Sequence, residues 1–125
     1  MRDVVISGNA YDVVIPILLH LGRGFVGSED YEALKGTADD LPGVVAAGYA
    51  RYVARARKAS DGDDWSVLIQ PLNLLSAVGD PRIDEMLRDE VIEQLDADEV
   101  LEDAKAWFSD DLMRVLGGYV SFRSR

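Results

Sequence analysis

The sequence predicts an all-α domain, and three observations carry that expectation. Beyond residue 21 no β-branched run alternates in the manner of a strand. Apolar residues recur instead at i, i+3 and i+4 through successive segments. The punctuation is also helical: Ser28, Asp39-Asp40-Pro42, Gly79-Asp80-Pro81 and Ser109-Asp110-Asp111 are start signals, and Gly22, Gly36 and Gly117-Gly118 are stops. The expected architecture is one domain over residues 1–125, with roughly six helices in antiparallel pairs, as a bundle or a short repeat-like layer. A domain of this length can bury roughly two-thirds of its unfolded surface.

The first element is the least settled. Asp3–Ile6 and Asp12–Ile15 both read DVVI and flank Gly8-Asn9, which suits a short hairpin. The alternative is a helix from Ala10 to Leu21, capped by Asn9, stopped by Gly22 and kinked at Pro16. The apolar pattern continues past any hairpin through PILLHL, which favours the helix. Ser28 then opens a short helix ending at Gly36; it lacks the glutamate of a full capping box, but Glu29 and Asp30 suit the helix dipole.

Asp39, Asp40 and Pro42 open a helix to about Ala59, whose Val45, Gly48, Tyr49, Tyr52, Val53 and Ala56 share one face. The SDGDD segment reads as a loop. Trp65 to Val78 is helical by its Leu72, Leu75, Val78 spacing despite Pro71. Asp80 as cap and Pro81 at the first helical position start the next helix, with Ile83, Met86, Leu87, Val91 and Leu95 buried and Glu85, Asp89 and Glu93 facing away. A further helix holds Val100, Leu101, Ala104, Trp107 and Phe108. Ser109-Asp110-Asp111 caps the last, which Gly117-Gly118 should stop.

Charge is the most informative quantity. The chain has a net charge of −10, and residues 80–111 alone, with 13 acids against Arg82, Arg88 and Lys105, account for all of it. Such a surface repels nucleic acid and anionic membrane and attracts basic partners. There is no cysteine, which suits a reducing cytoplasm and excludes disulfides, thiolate metal sites and cysteine nucleophiles. Residues 1–12 carry an acid at position 3 and no long apolar core, so no secretory signal is expected. The longest apolar run, Val13 to Leu19, is too short to span a bilayer.

Chemical motifs are few. Gly22, Gly24 and Gly27 form a literal G-x-G-x-x-G, the spacing of a dinucleotide-binding turn. That turn needs a strand before it, which Pro16 opposes, and a helix start free of acids, where Glu29 and Asp30 stand. The acidic runs at Asp61–Asp64 and Asp96–Asp103 start like calcium loops but place Trp65, Val100 and Leu101 where ligands or glycine belong. His20 is the sole histidine and no G-x-S-x-G surrounds any serine. The expectation is no enzyme activity, no cofactor and no metal.

Arg51, Arg55 and Lys58 form one basic stripe, expected to pair with the acids of Asp80–Asp111. Tyr49 and Tyr52 beside it read as core. The acidic surface is expected to be the partner-binding face: Glu85, Asp89, Glu93 and Asp96 as one ridge, Glu99, Glu102 and Asp103 as another, and the loop acids Asp61, Asp63 and Asp64 beside Trp65. Trp65 is the expected aromatic anchor, and Trp107 is expected in the core.

The segments DLPGVVAAGYARYV, GDPRIDEMLRDEVIEQL and WFSDDLMRVLGGY together resemble small bacterial helical domains, some of them similar to immunity proteins of polymorphic toxin systems. The resemblance covers about Asp40 to Tyr119 and rests on Pro42, Gly48, Arg51, Gly79-Asp80-Pro81, Glu93, Leu95 and Leu116. The Gly-Asp-Pro start before an amphipathic helix is also similar to helical repeats. The resemblance implies a small acidic cytoplasmic immunity protein, or inhibitor, that occludes a basic toxin or nuclease domain. The alternative is a phage or viral DNA mimic blocking a nucleic-acid-binding protein. A third reading is a nucleotide or small-ligand enzyme built on Gly22–Gly27.

Overall fold

The computed structural model describes residues 10–59 and 64–123, and every described element is helical. The expected Asn9 cap, the first hairpin strand and most of the SDGDD segment lie outside the described residues. Where a hairpin would need its second strand, at residues 12–15, the chain is helical. A 3₁₀ turn over Ala10–Val13 leads into helix α1, Val14–Leu21. The change of helix type places Pro16 in the first turn of α1, where its missing N–H costs no ladder bond.

Gly22 closes α1 by donating its N–H to Leu18 O at 2.9 Å. The glycine segment then forms one helical turn, α2, Arg23–Val26. Ser28 caps α3, Glu29–Glu32, by accepting from Tyr31 N at 3.3 Å. Pro42 opens α4, Pro42–Ala59, as expected. The inward face of α4 carries Val45, Ala46, Tyr49, Ala50, Val53 and Ala54; its three alanines let neighbouring helices approach closely.

Asp64 caps α5, Trp65–Ala77, which contains the buried Pro71. Gly79, at φ +79, turns the chain into Asp80, the cap of α6, with Pro81 at its first position. Helix α6 is α-helical over Pro81–Met86, π-helical over Leu87–Ile92 and α-helical again over Glu93–Ala97. Glu99 at φ +65 makes the turn into α7, Leu101–Ala104, which ends in a 3₁₀ turn over Lys105–Trp107.

The last helix, α8, runs Asp110–Arg123 straight through Gly117-Gly118. Glycine costs about 1 kcal/mol against alanine in a helix interior. Burial overrides it, because Leu112, Val115, Leu116 and Tyr119 continue one inward face across the glycines. The Tyr119 hydroxyl donates to Asp96 Oδ2 at 2.7 Å, tying α8 to the end of α6.

Among the described residues there are eight helical segments, against the rough count of six; seven answer to stretches read as helical in the sequence, and α2 is the unforeseen one. Helix α4 packs along α6, α8 packs on α5 and α6, and α1 packs on α4 and α5. No described helix is long and apolar enough to cross a membrane.

Candidate partner-binding face

The outer face of α6 is set by its π-helical turn. At 100° per residue, a regular helix would put Glu90 among the inward residues, seven positions after Ile83 and so on the same face, and would turn Ile92 outward. The structure has the reverse: Ile92 is fully buried and Glu90 is exposed. A π turn accommodates one extra residue, which rotates everything beyond it by about one position. Glu90 consequently joins Glu85, Asp89 and Glu93 as an exposed acid of α6.

The ridge expected from sequence is altered in two ways. Arg88 stands within it, with Nε 2.8 Å from Asp89 Oδ1 and Nη2 3.8 Å from Glu85 Oε2. Asp96 leaves the ridge, because it is half-buried and accepts from Tyr119. In the second group, Glu99, Glu102 and Asp103 are all exposed, and Glu102 pairs with Lys105 at 2.8 Å. A shallow groove between α4 and α6 runs beside the ridge. Its α4 wall is Gly43, Ala47 and Arg51, and Asp89, Glu90 and Glu93 stand on the other side.

The two tryptophans exchange the places expected of them. Trp65 is 9% exposed, and the Arg57 guanidinium lies 5.2 Å from its ring centroid, so its face is already occupied from within the chain. It begins a helix whose Leu68, Ile69 and Leu72 are buried, and that amphipathic phase draws it inward. Trp107 is 48% exposed. The 3₁₀ turn at Lys105–Trp107 breaks the spacing that placed it on the face of Leu101 and Ala104.

Asp61 and Asp63 lie outside the described residues. Asp64 serves α5: its carboxylate accepts from Val67 N at 3.2 Å and from the Ser66 hydroxyl at 2.6 Å. The Ser66 bond, then the Val67 bond, hold its carboxyl below the ordinary carboxylate range.

The basic stripe does not pair as expected. Arg55 turns to α3, donating from Nε and Nη2 to both carboxylate oxygens of Asp30 at 3.1 and 2.9 Å, with Glu29 at 3.2 Å. Asp30 is only 6% exposed, so this bond satisfies a buried carboxylate. Among the described residues no carboxylate lies within 4.0 Å of the Arg51 or Lys58 side chains; with Ala54 and Asp98 these line a shallow pocket.

Packing explains two glycines of the triplet, while a Cβ at Gly27 would meet nothing within 4 Å. A Cβ at Gly22 would stand 2.6 Å from Cε1 of Tyr49, and one at Gly24 would collide with the Tyr52 hydroxyl. The preceding element is helix, not strand, and the Gly22 carbonyl is engaged within the turn by Phe25 N at 2.9 Å. Phe25 itself is fully buried, edge-on to Tyr31 and Tyr49.

Compared with known proteins, the chain matches no family model, no curated protein and no solved structure.

Proposed function

We propose that this chain is a small acidic inhibitor of the immunity-protein kind, which binds a basic toxin or nuclease domain in the cytoplasm and covers its cationic surface. The observation that carries the reading is the row of exposed carboxylates on one helix: Glu85, Asp89, Glu90 and Glu93 on α6. They project from an element packed against both α4 and α8, so the row is held at fixed spacing. The row holds four of the thirteen acids of residues 80–111, the segment whose charge equals the whole net charge of −10. A fixed anionic face steers a basic partner into contact and excludes acidic competitors. Inhibition needs no bond made or broken, only occlusion.

The test is stopped-flow association, across a salt series, with a basic protein captured by the chain in a pull-down from its source cell. Reversing Glu85, Asp89 and Glu93 to lysine should slow association about tenfold or more at low ionic strength and flatten its salt dependence. Arg88→Gln should speed it, because the one cation within the row is removed. An unchanged rate and salt slope in the triple variant would show that the acidic face plays no part.

A further inference from the structure

We infer that Trp107 is the anchor of the partner contact, and that its exposed indole face takes a cationic side chain, an arginine from a basic segment of the partner. This rests on the inhibitor reading above and names the residue that would hold what the acidic row attracts.

Trp107 is the largest of the exposed apolar side chains, and it is presented from a fixed position. Asn73 of α5 holds the backbone that leaves it, donating from Nδ2 to Trp107 O at 3.1 Å and accepting from Ser109 N at 2.8 Å. Phe108 N closes the turn onto Lys105 O at 3.2 Å. An aromatic ring on a pinned backbone offers contact area while little conformational freedom remains to be lost on binding.

The surroundings set the chemistry of what it meets. The exposed acids Glu102 and Asp103 precede Trp107 within five residues, and the exposed Asp110 and Asp111 follow within four. The nearest base in sequence, Lys105, is engaged with Glu102. Asp111 pairs with Arg114 at 3.7 Å, which leaves Asp103 and Asp110 without an ion pair among the described residues. These two acids, close in sequence to the indole, disfavour an anionic partner and favour a cation over the ring, where tryptophan is the strongest of the aromatic acceptors. The molecule already contains this pairing: Arg57 lies over Trp65. No cation lies over Trp107 among the described residues. Arginine is favoured over lysine because its planar guanidinium stacks on the ring and also reaches a neighbouring carboxylate.

The experiment uses octa-arginine and octa-lysine peptides as probes. In Trp65→Phe, Trp107 is the sole tryptophan, and its emission should change saturably with octa-arginine and less with octa-lysine. In the otherwise native chain, Trp107→Ala should weaken octa-arginine binding about tenfold by calorimetry, with the circular dichroism spectrum unchanged. The second variant decides the matter should Trp65→Phe fail to fold. If octa-arginine binds with undiminished affinity to Trp107→Ala and only the Glu85, Asp89, Glu93 reversal weakens it, the anchor is refuted while the acidic-face reading stands. If octa-arginine does not bind even at low salt, both fall. A concentration-dependent dimer abolished by Trp107→Ala would assign the indole to a second copy of the chain and overturn the proposal.

Discussion

Tyr49→Phe should lower the melting temperature by about 4–8 °C, through a single oxygen atom. Tyr49 is buried, and its hydroxyl donates to Leu68 O at 2.6 Å, across from α4 to α5. That carbonyl lies in the turn disturbed by Pro71, which has no N–H to offer Val67 and whose ring presses on the same turn. The hydroxyl therefore supports a helix where its own ladder is weakest. Phenylalanine fills the same volume but loses the hydroxyl's bond to a buried carbonyl, at a cost of about 1–2 kcal/mol. An unfolding entropy of about 2.1 cal/mol/K per residue makes 1 kcal/mol worth about 4 °C in a chain of 125 residues.

A double-mutant cycle with Pro71→Ala tests the reasoning rather than the bond alone. Alanine restores the donor to Val67 O and straightens the turn that also carries Leu68 O, so Tyr49→Phe should cost less in that background, with a coupling of about 1 kcal/mol. Thermal melts followed by circular dichroism suffice for all four proteins. An equal loss in both backgrounds would refute the link to Pro71, and no loss in the native background would refute the bond's contribution altogether.

Gly22→Ala, which ordinary helix propensity would favour, should instead destabilise by about 1–3 kcal/mol, because the new methyl meets Leu18 O and the Tyr49 ring; an unchanged denaturant midpoint would contradict the packing account of the glycines. Replacing Arg51, Arg55 and Lys58 with glutamine should lower the melting temperature no further than Arg55→Gln alone, since only Arg55 satisfies Asp30; a larger drop in the triple variant would restore the expected pairing of Arg51 and Lys58. Asp80 is held below the ordinary carboxylate value by the Arg82 side chain first and the Arg82 amide second. A depressed folded value means stability that is present above the unfolded value of 3.8 and lost as the pH falls through the folded one. Asp80→Asn keeps a capping oxygen without the proton linkage, so its melting temperature should fall less steeply below about pH 4 than that of the native chain; an identical acid slope would remove Asp80 from the linkage.

Where local chemistry decides, the sequence was readable. Ser28, Asp80 and Ser109 cap the helices they precede, and Pro42 and Pro81 stand at first helical positions. These signals act within one turn, so nothing distant competes with them. Gly117-Gly118 misled because its stop signal is worth only about 1 kcal/mol per residue, less than burying Tyr119 beyond it. Arg55 misled differently: charge totals pointed to residues 80–111, but a buried carboxylate nearby, Asp30, binds a guanidinium more strongly than an exposed one can. Totals describe the field, not the pairs.

The candidate face shows what a closer reading could have recovered. Val91 and Ile92 are adjacent apolar residues, and a regular helix cannot bury both beside Ile83, Met86 and Leu87 without sending one outward. Val91 follows Leu87 at the α spacing of four, but Ile92 follows it at five, one residue too long for an α turn and the spacing a π turn brings inward. Reading it so brings Glu90 out of the core and places it beside Asp89, one more carboxylate on the exposed face. No comparable signal existed for Trp107, because its spacing from Ala104 fits the inward face of an α-helix. It is exposed because Lys105–Trp107 tightens to a 3₁₀ turn held by Asn73, thirty-four residues earlier. A contact that distant leaves no trace in local periodicity. The exposed acidic row was therefore legible from the chain, and the aromatic proposed to work with it required the fold.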